Sequence, residues 1–160
     1  HIETAECRGT TVFIYLPRAH ESRDAQILNV DSALTRTGAG QTVLLVDDDN
    51  AVREVARGML VQLGYRVLEA GSGGAALELL YPEEHVALVV VDFAMPGMNG
   101  AEVAREMKKT KPSLPVLFVT GFAELKQAAS IDERDIIAKP FSSKRLAQKV
   151  QRALQSADRT

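Results

Sequence analysis

Four short apolar runs along the chain each end in a polar group. Val43-Leu44-Leu45-Val46 runs into Asp47-Asp48-Asp49, residues 87–91 into Asp92, residues 116–119 into Thr120, and residues 136–138 into Lys139-Pro140. Runs that are continuous rather than alternating predict strands buried on both faces of a parallel sheet. Residues 65–70 are half polar and predict an edge strand. Between the runs the spacing turns helical. Val52, Val55, Ala56, Met59, Leu60 and Leu63 share one face, and Gly64 follows as a stop. Residues 75–80 predict a short apolar helix that ends before Pro82. Residues 100–109 place Val103, Ala104 and Met107 on one face, with Lys108-Lys109 at the favourable C-terminal end. A last helix has Leu146, Ala147, Val150 and Leu154 as its core face, with Ser142 or Ser143 as its cap. Residues 121–135 leave room only for a short or irregular fourth helix. Five strands alternating with five helices predict an α/β, doubly wound, five-stranded parallel sheet.

Parallel strands all point the same way, so the four polar groups gather at one edge. That edge is where open α/β sheets bind ligands. Carboxylates crowded there repel, at about 4 kcal/mol for two charges ~4 Å apart at an effective dielectric near 20. A cation must compensate, and oxygen-only ligands point to Mg2+. Taken singly, an acidic cluster after a strand is often no more than a capping turn, and Asp49 or Asn50 is expected to cap the next helix. Together, the acids, the hydroxyl and the lysine suggest phosphoryl chemistry on a carboxylate. An aspartate attacks phosphorus only when charge on both partners is neutralised, which a divalent cation and a lysine achieve. Few side chains suffice, because phosphoryl transfer is mostly positioning and electrostatics.

Residues 42–156 resemble a response-regulator receiver domain, the phosphorylatable module of two-component signalling. Four segments carry the resemblance: Val43-Leu44-Leu45-Val46-Asp47-Asp48-Asp49; Val91-Asp92-Phe93-Ala94-Met95-Pro96-Gly97-Met98-Asn99-Gly100; Val119-Thr120-Gly121; and Ala138-Lys139-Pro140-Phe141. The resemblance implies the flavodoxin-like receiver fold. It implies that Asp92 is the phosphoacceptor and that Asp48 and Asp92 ligate Mg2+ directly. The Ala94 carbonyl would add a ligand, and Asp47 would bind through water. Lys139 would pair with the phosphoryl group and Thr120 would hydrogen-bond to it. A cis Lys139–Pro140 bond is also implied, a form that proline makes accessible. Ile136 stands three residues before the lysine, where receivers with DNA-binding outputs commonly carry an aromatic.

The N-terminal forty residues read differently. Residues 9–17 predict a strand after a glycine turn, stopped by Pro17. Residues 3–18 resemble the closing segment of a histidine-kinase ATP-binding domain, which often ends in a Gly-x-Gly-Thr turn, a final strand and Leu-Pro; Cys7 replaces the first glycine here. Residues 1–17 are thus read as a kinase remnant carrying a short extension strand, and residues 18–41 as a flexible linker spanning roughly 25–30 Å. A lone strand leaves backbone groups unpaired, so it is expected to pair with the receiver sheet's edge or with a second copy.

Composition narrows the setting. Hydrophobic residues at 46% and charged ones at 25% are ordinary for a soluble globular protein, and a net charge of -2 gives no case for nucleic-acid binding. The single cysteine excludes an intramolecular disulfide and fits a reducing, cytoplasmic compartment. No apolar stretch approaches the ~20 residues needed to span a bilayer, and the start lacks a signal-peptide pattern. His1, His20 and His85 show no metal spacing, and Gly71-Ser72-Gly73-Gly74 lacks the lysine of a phosphate-binding loop. The expected function is a phosphoacceptor in a phosphorelay, taking phosphoryl from a phosphohistidine onto Asp92. Its implied partners are a histidine kinase core, in cis within a hybrid sensor kinase anchored upstream, and a histidine phosphotransfer protein. Two alternatives are a stand-alone response regulator with an N-terminal extension and a Mg2+-dependent aspartyl-phosphate phosphohydrolase. The latter usually needs a second aspartate two residues after the nucleophile. Ala94 occupies that position, so a turnover enzyme is not expected from this fragment. The last helix ends close to Thr160, so no DNA-binding output domain is expected after it.

Overall fold

The computed structural model describes residues 2–5, 9–12, 38, 40–81, 85–121 and 131–157. Contacts divide the chain into two units, His1–Asp31 and Ser32–Thr160. In the first, β1 (Ile2–Ala5) and β2 (Gly9–Val12) form an antiparallel hairpin, with Ile2 opposite Val12 and Ala5 opposite Gly9. This corrects the expected pairing of a lone extension strand: its partner is the segment just before it. Closing a loop of a few residues costs little chain entropy, so the neighbouring segment outcompetes a distant edge. Residues 13–17 of the expected strand lie outside the described residues.

The second unit runs β3 (Thr42–Val46), α1 (Asn50–Gln62), β4 (Arg66–Ala70), α2 (Gly73–Leu80), β5 (Val86–Asp92), α3 (Gly100–Thr110), β6 (Val116–Thr120), β7 (Ile136–Ala138) and α4 (Ser143–Ala157), with a 3-10 turn at Glu133–Asp135. The five strands are parallel in the order β4-β3-β5-β6-β7, the doubly wound arrangement predicted, with the half-polar strand at the edge. The described residues carry four of the five expected helices; the fourth was expected within residues 121–135, of which 122–130 lie outside the described residues. Asp49 caps α1, its carboxylate accepting from the Ala51 amide at 2.8 Å. Asn99 and Glu102 cap α3 reciprocally, each accepting from the other's amide at 3.0 Å. Of the two serines before α4, Ser142 accepts from the Arg145 amide at 3.3 Å.

Successive strand residues face opposite layers. Val43, Leu45, Leu88, Val90, Leu117, Val119 and Ile137 pack with α1 and α4, through Leu60, Leu146 and Val150. Leu44, Val46, Val89, Val91, Val116 and Phe118 pack on the other side with α2 and α3, through Ala76, Val103 and Met107. Fully buried leucines of this kind each contribute about 1.5–3 kcal/mol. Ile136 is half-buried against this second layer. The register is what places the site: Val46 pairs with Val91, Asp92 with Val119, and Thr120 with Ala138, so the strand ends are level.

Two close approaches fix the loops. The turn before β3 folds back on the α1–β4 corner, where the Gly38 amide donates to the Leu63 carbonyl at 3.0 Å and the Gly40 amide to Gly64 at 3.2 Å. Gly38 and Gln41, read from sequence as linker, therefore lie against the receiver body; the Gly38 position has no space for a side chain, because a Cβ would stand 2.5 Å from the Gly64 carbonyl carbon. At the other end, α3 starts directly on the backbone that follows β5. A Cβ at Gly100 would stand 2.4 Å from the Asp92 carbonyl oxygen and 3.1 Å from the Phe93 Cα.

Backbone cannot yield as a side-chain tip can, so Gly100→Ala should destabilise the domain by about 2–3 kcal/mol in urea unfolding. Gly58, in the exposed middle of α1, has nothing within 4 Å of the same hypothetical atom. Gly58→Ala should instead stabilise by roughly 0.5–1 kcal/mol, through helix propensity alone.

Candidate functional site

The level strand ends bring the sequence-predicted residues together. Asp47 lies one residue beyond β3 and is buried, 4% exposed; Asp92 ends β5 at 6% exposed; Asp48 is exposed at the rim. Carboxylate oxygens of Asp47, Asp48 and Asp92 all lie within 4.8 Å of one another. The Lys139 ammonium, delivered by β7, sits 2.9 Å from Asp47 Oδ2 and 2.9 Å from Asp92 Oδ1. The Lys139–Pro140 bond is cis, as the resemblance implied, and the Lys139 amide donates to the Thr120 carbonyl at 2.8 Å.

Each acid is held differently. Asp47 has both oxygens engaged, Oδ1 accepting from the Asp49 amide at 2.9 Å and Oδ2 from Lys139. Asp48 opens toward a surface depression that Ala94, Asn99, Glu102 and Arg105 also line. Thr120 is fully buried at the end of β6, and its hydroxyl donates to the Gly121 carbonyl at 3.1 Å rather than to a site carboxylate. Three carboxylates against one ammonium leave a local charge deficit, and the donors are all oxygen, a set suited to a hard divalent cation. The cluster could hold a metal ion.

Burial pushes the Asp92 carboxyl above the ordinary carboxylate range. The Lys139 hydrogen bond and charge oppose this, while Asp47 and Asp48 add to it. For Lys139, burial alone would lower the ammonium, but its hydrogen bonds to Asp92 and Asp47 outweigh that and hold it above its usual value.

Sequence reasoning missed Arg53. Its guanidinium donates to the Asp47 main-chain carbonyl and to the Asn50 side chain, and lies 3.7 Å from the Glu69 carboxylate. A cation in the first turn of a helix opposes the macrodipole, which is the signal that could have drawn attention to it.

The chain matches the response regulator receiver domain family over residues 43–151. It is 39% identical over 164 aligned positions to the sensor kinase CckA of Brucella abortus, an alignment covering 94% of this chain and 17% of that protein. The chain therefore spans about a sixth of that relative's length. It is 33% identical to the response regulator receiver protein CpdR of the same organism, covering 72% of this chain and 98% of that one. Among solved structures, a receiver domain protein from Clostridium thermocellum superposes with a TM-score of 0.69 at 24% identity, over 74% of this chain and 97% of the other; at that identity the likeness is one of fold.

Because Asp92 titrates above its unfolded value, near 3.9, its ionisation costs the metal-free folded state stability as pH rises through the folded value. Lys139 acts oppositely: its contribution is present at neutral pH and is lost as pH rises through its own raised value. The metal-free Asp92→Asn variant should melt a few degrees above wild type at about pH 7, and the gap should close toward about pH 4. Thermal melts across that range check this.

Proposed function

This chain belongs to the response regulator receiver domain family, and we propose that it takes a phosphoryl group from a phosphohistidine onto Asp92. The observation that carries the reading is the single ammonium of Lys139 shared between the buried carboxylates of Asp47 and Asp92. In this reading an Asp92 carboxylate oxygen attacks the phosphorus. As the new O–P bond forms the P–N bond breaks, and the donor imidazole leaves with the electron pair. Lys139 follows the developing charge from carboxylate to phosphoryl oxygen, as a mobile point charge can. The Thr120 hydroxyl turns from the Gly121 carbonyl to donate to a phosphoryl oxygen. No separate base is needed, since a carboxylate nucleophile is already ionised. Mg2+, held directly by Asp48, Asp92 and the Ala94 carbonyl and through water by Asp47, would neutralise charge on both partners. The engagement of both Asp47 oxygens supports an outer place for that residue.

The wider setting we propose is the C-terminal receiver of a cytoplasmic hybrid sensor histidine kinase. Its partners would be the kinase core in cis and a histidine phosphotransfer protein, with residues 1–17 as the end of the ATP-binding domain and 18–41 as linker. The likeness to a sensor kinase supports this, because it covers 94% of the chain and so reaches well before residue 43. A stand-alone regulator is the second reading, supported by the CpdR likeness over nearly that protein's whole length. The alanine at position 94 supports a module that stores phosphoryl rather than one that turns it over.

Acetyl phosphate with Mg2+ should give one phosphoryl adduct by intact mass, absent in Asp92→Asn and absent with chelator. An adduct that survives Asp92→Asn would place the acceptor elsewhere. Asp48→Asn should weaken Mg2+ binding roughly tenfold or more, whereas Asp49→Asn should change it by less than about threefold, since Asp49 serves as the α1 cap. Metal titration by calorimetry decides, and equal losses would refute the assignment.

A further inference from the structure

We propose that Arg53 is a positioning residue for the acidic site: a latch, anchored on Glu69 of the edge strand, that holds the β3–α1 turn so that Asp47 and Asp48 face Asp92. The proposal rests on the reading of that cluster as a Mg2+ site.

Arg53 is a costly residue where it stands. Its side chain is only 16% exposed, and it sits in the first turn of α1, where the helix dipole disfavours a cation. Yet it makes no hydrogen bond to any of the three acids' carboxylates. Its guanidinium donates to the main-chain carbonyl of Asp47 and to the side chain of Asn50, the residues that bracket Asp48 and Asp49. The Asp47 amide is meanwhile bonded to the Ala70 carbonyl at 3.2 Å. Both main-chain polar groups of Asp47 are thus taken, one by β4 and one by Arg53, and the turn's start and end are tied to a single planar group. Fixing the backbone rather than the carboxylates leaves Asp48 free to ligate.

Glu69 completes the device. Its carboxylate lies 3.7 Å from Arg53 and 3.0 Å from Arg57. Shared between the two guanidiniums, it offsets part of their charge and so weakens the competition of Arg53 with a metal ion. Groups that orient metal ligands from one shell out commonly change affinity by about 10–100-fold when removed. A lysine could not replace the arginine, because one ammonium lacks the flat fork that reaches a carbonyl, an amide oxygen and a carboxylate together.

The test is Arg53→Met in the full chain, which keeps most of the apolar stem, with MgCl2 alone as the probe. Calorimetry should show the Mg2+ Kd raised about tenfold. Amide exchange of the metal-free variant should quicken at Asp48, Asp49 and Asn50 while the sheet amides keep their protection, a split that general loss of stability would not give. Arg53→Lys should fail to restore the affinity. Glu69→Gln, which leaves Arg53 in place, should weaken Mg2+ binding in the same direction by a smaller factor. Wild-type affinity in Arg53→Met, or full restoration by Arg53→Lys, would overturn the latch. Absence of Mg2+ binding in wild type would overturn the reading of the site itself.

Discussion

Mutual repulsion among three carboxylates at one sheet edge is the constraint around which the receiver unit is organised. Asp47 and Asp92 are both nearly removed from water, and Asp48 stands beside them. Two ionised groups ~4 Å apart at a buried rim cost about 4 kcal/mol. Lys139, equidistant from the two buried acids, is the internal answer. It leaves the cluster net negative, an all-oxygen set that could hold a cation.

Holding that arrangement requires elements far apart in sequence. Asp47 and Lys139 are 92 residues apart, and the pair forms because a parallel sheet delivers every strand end to the same edge. The register leaves no slack, since Asp92 is level with Val119 and Thr120 with Ala138. Gly100 lets α3 begin against the Asp92 carbonyl, and Arg53 ties the acidic turn to β4 through Glu69. The two hydrophobic layers, α1 with α4 and α2 with α3, make the sheet stiff enough for these contacts to persist.

Family membership and site geometry bear on different questions. The family match identifies the kind of module, and the geometry supports a phosphoacceptor role for one of its carboxylates. The likeness to a kinase extends through the N-terminal part of the chain, whereas the receiver family covers residues 43–151. The β1–β2 hairpin pairs within the N-terminal unit. Among the described residues, β4 and β7 are the edges of the receiver sheet.

The sequence by itself determined the five receiver strands, their parallel direction and the identity of the gathered residues. Continuous apolar runs such as Val43 to Val46 can be buried only on both faces, and each run ends in the group it delivers. It narrowed the caps as well, to Asp49 or Asn50 for α1 and to one of two serines for α4, and the fold selected Asp49 and Ser142. Tertiary structure alone decided the rest. Which oxygen of Asp47 meets Lys139, and that the Thr120 hydroxyl turns to Gly121, depend on distances no spacing rule encodes. The partner of β2 was decided by the nearness of β1 along the chain, a competition between pairings that a strand pattern cannot rank. Arg53 was invisible for a like reason. Its importance lies in the backbone carbonyl it reaches, and a carbonyl is present at every residue, so only the folded chain shows which one is held.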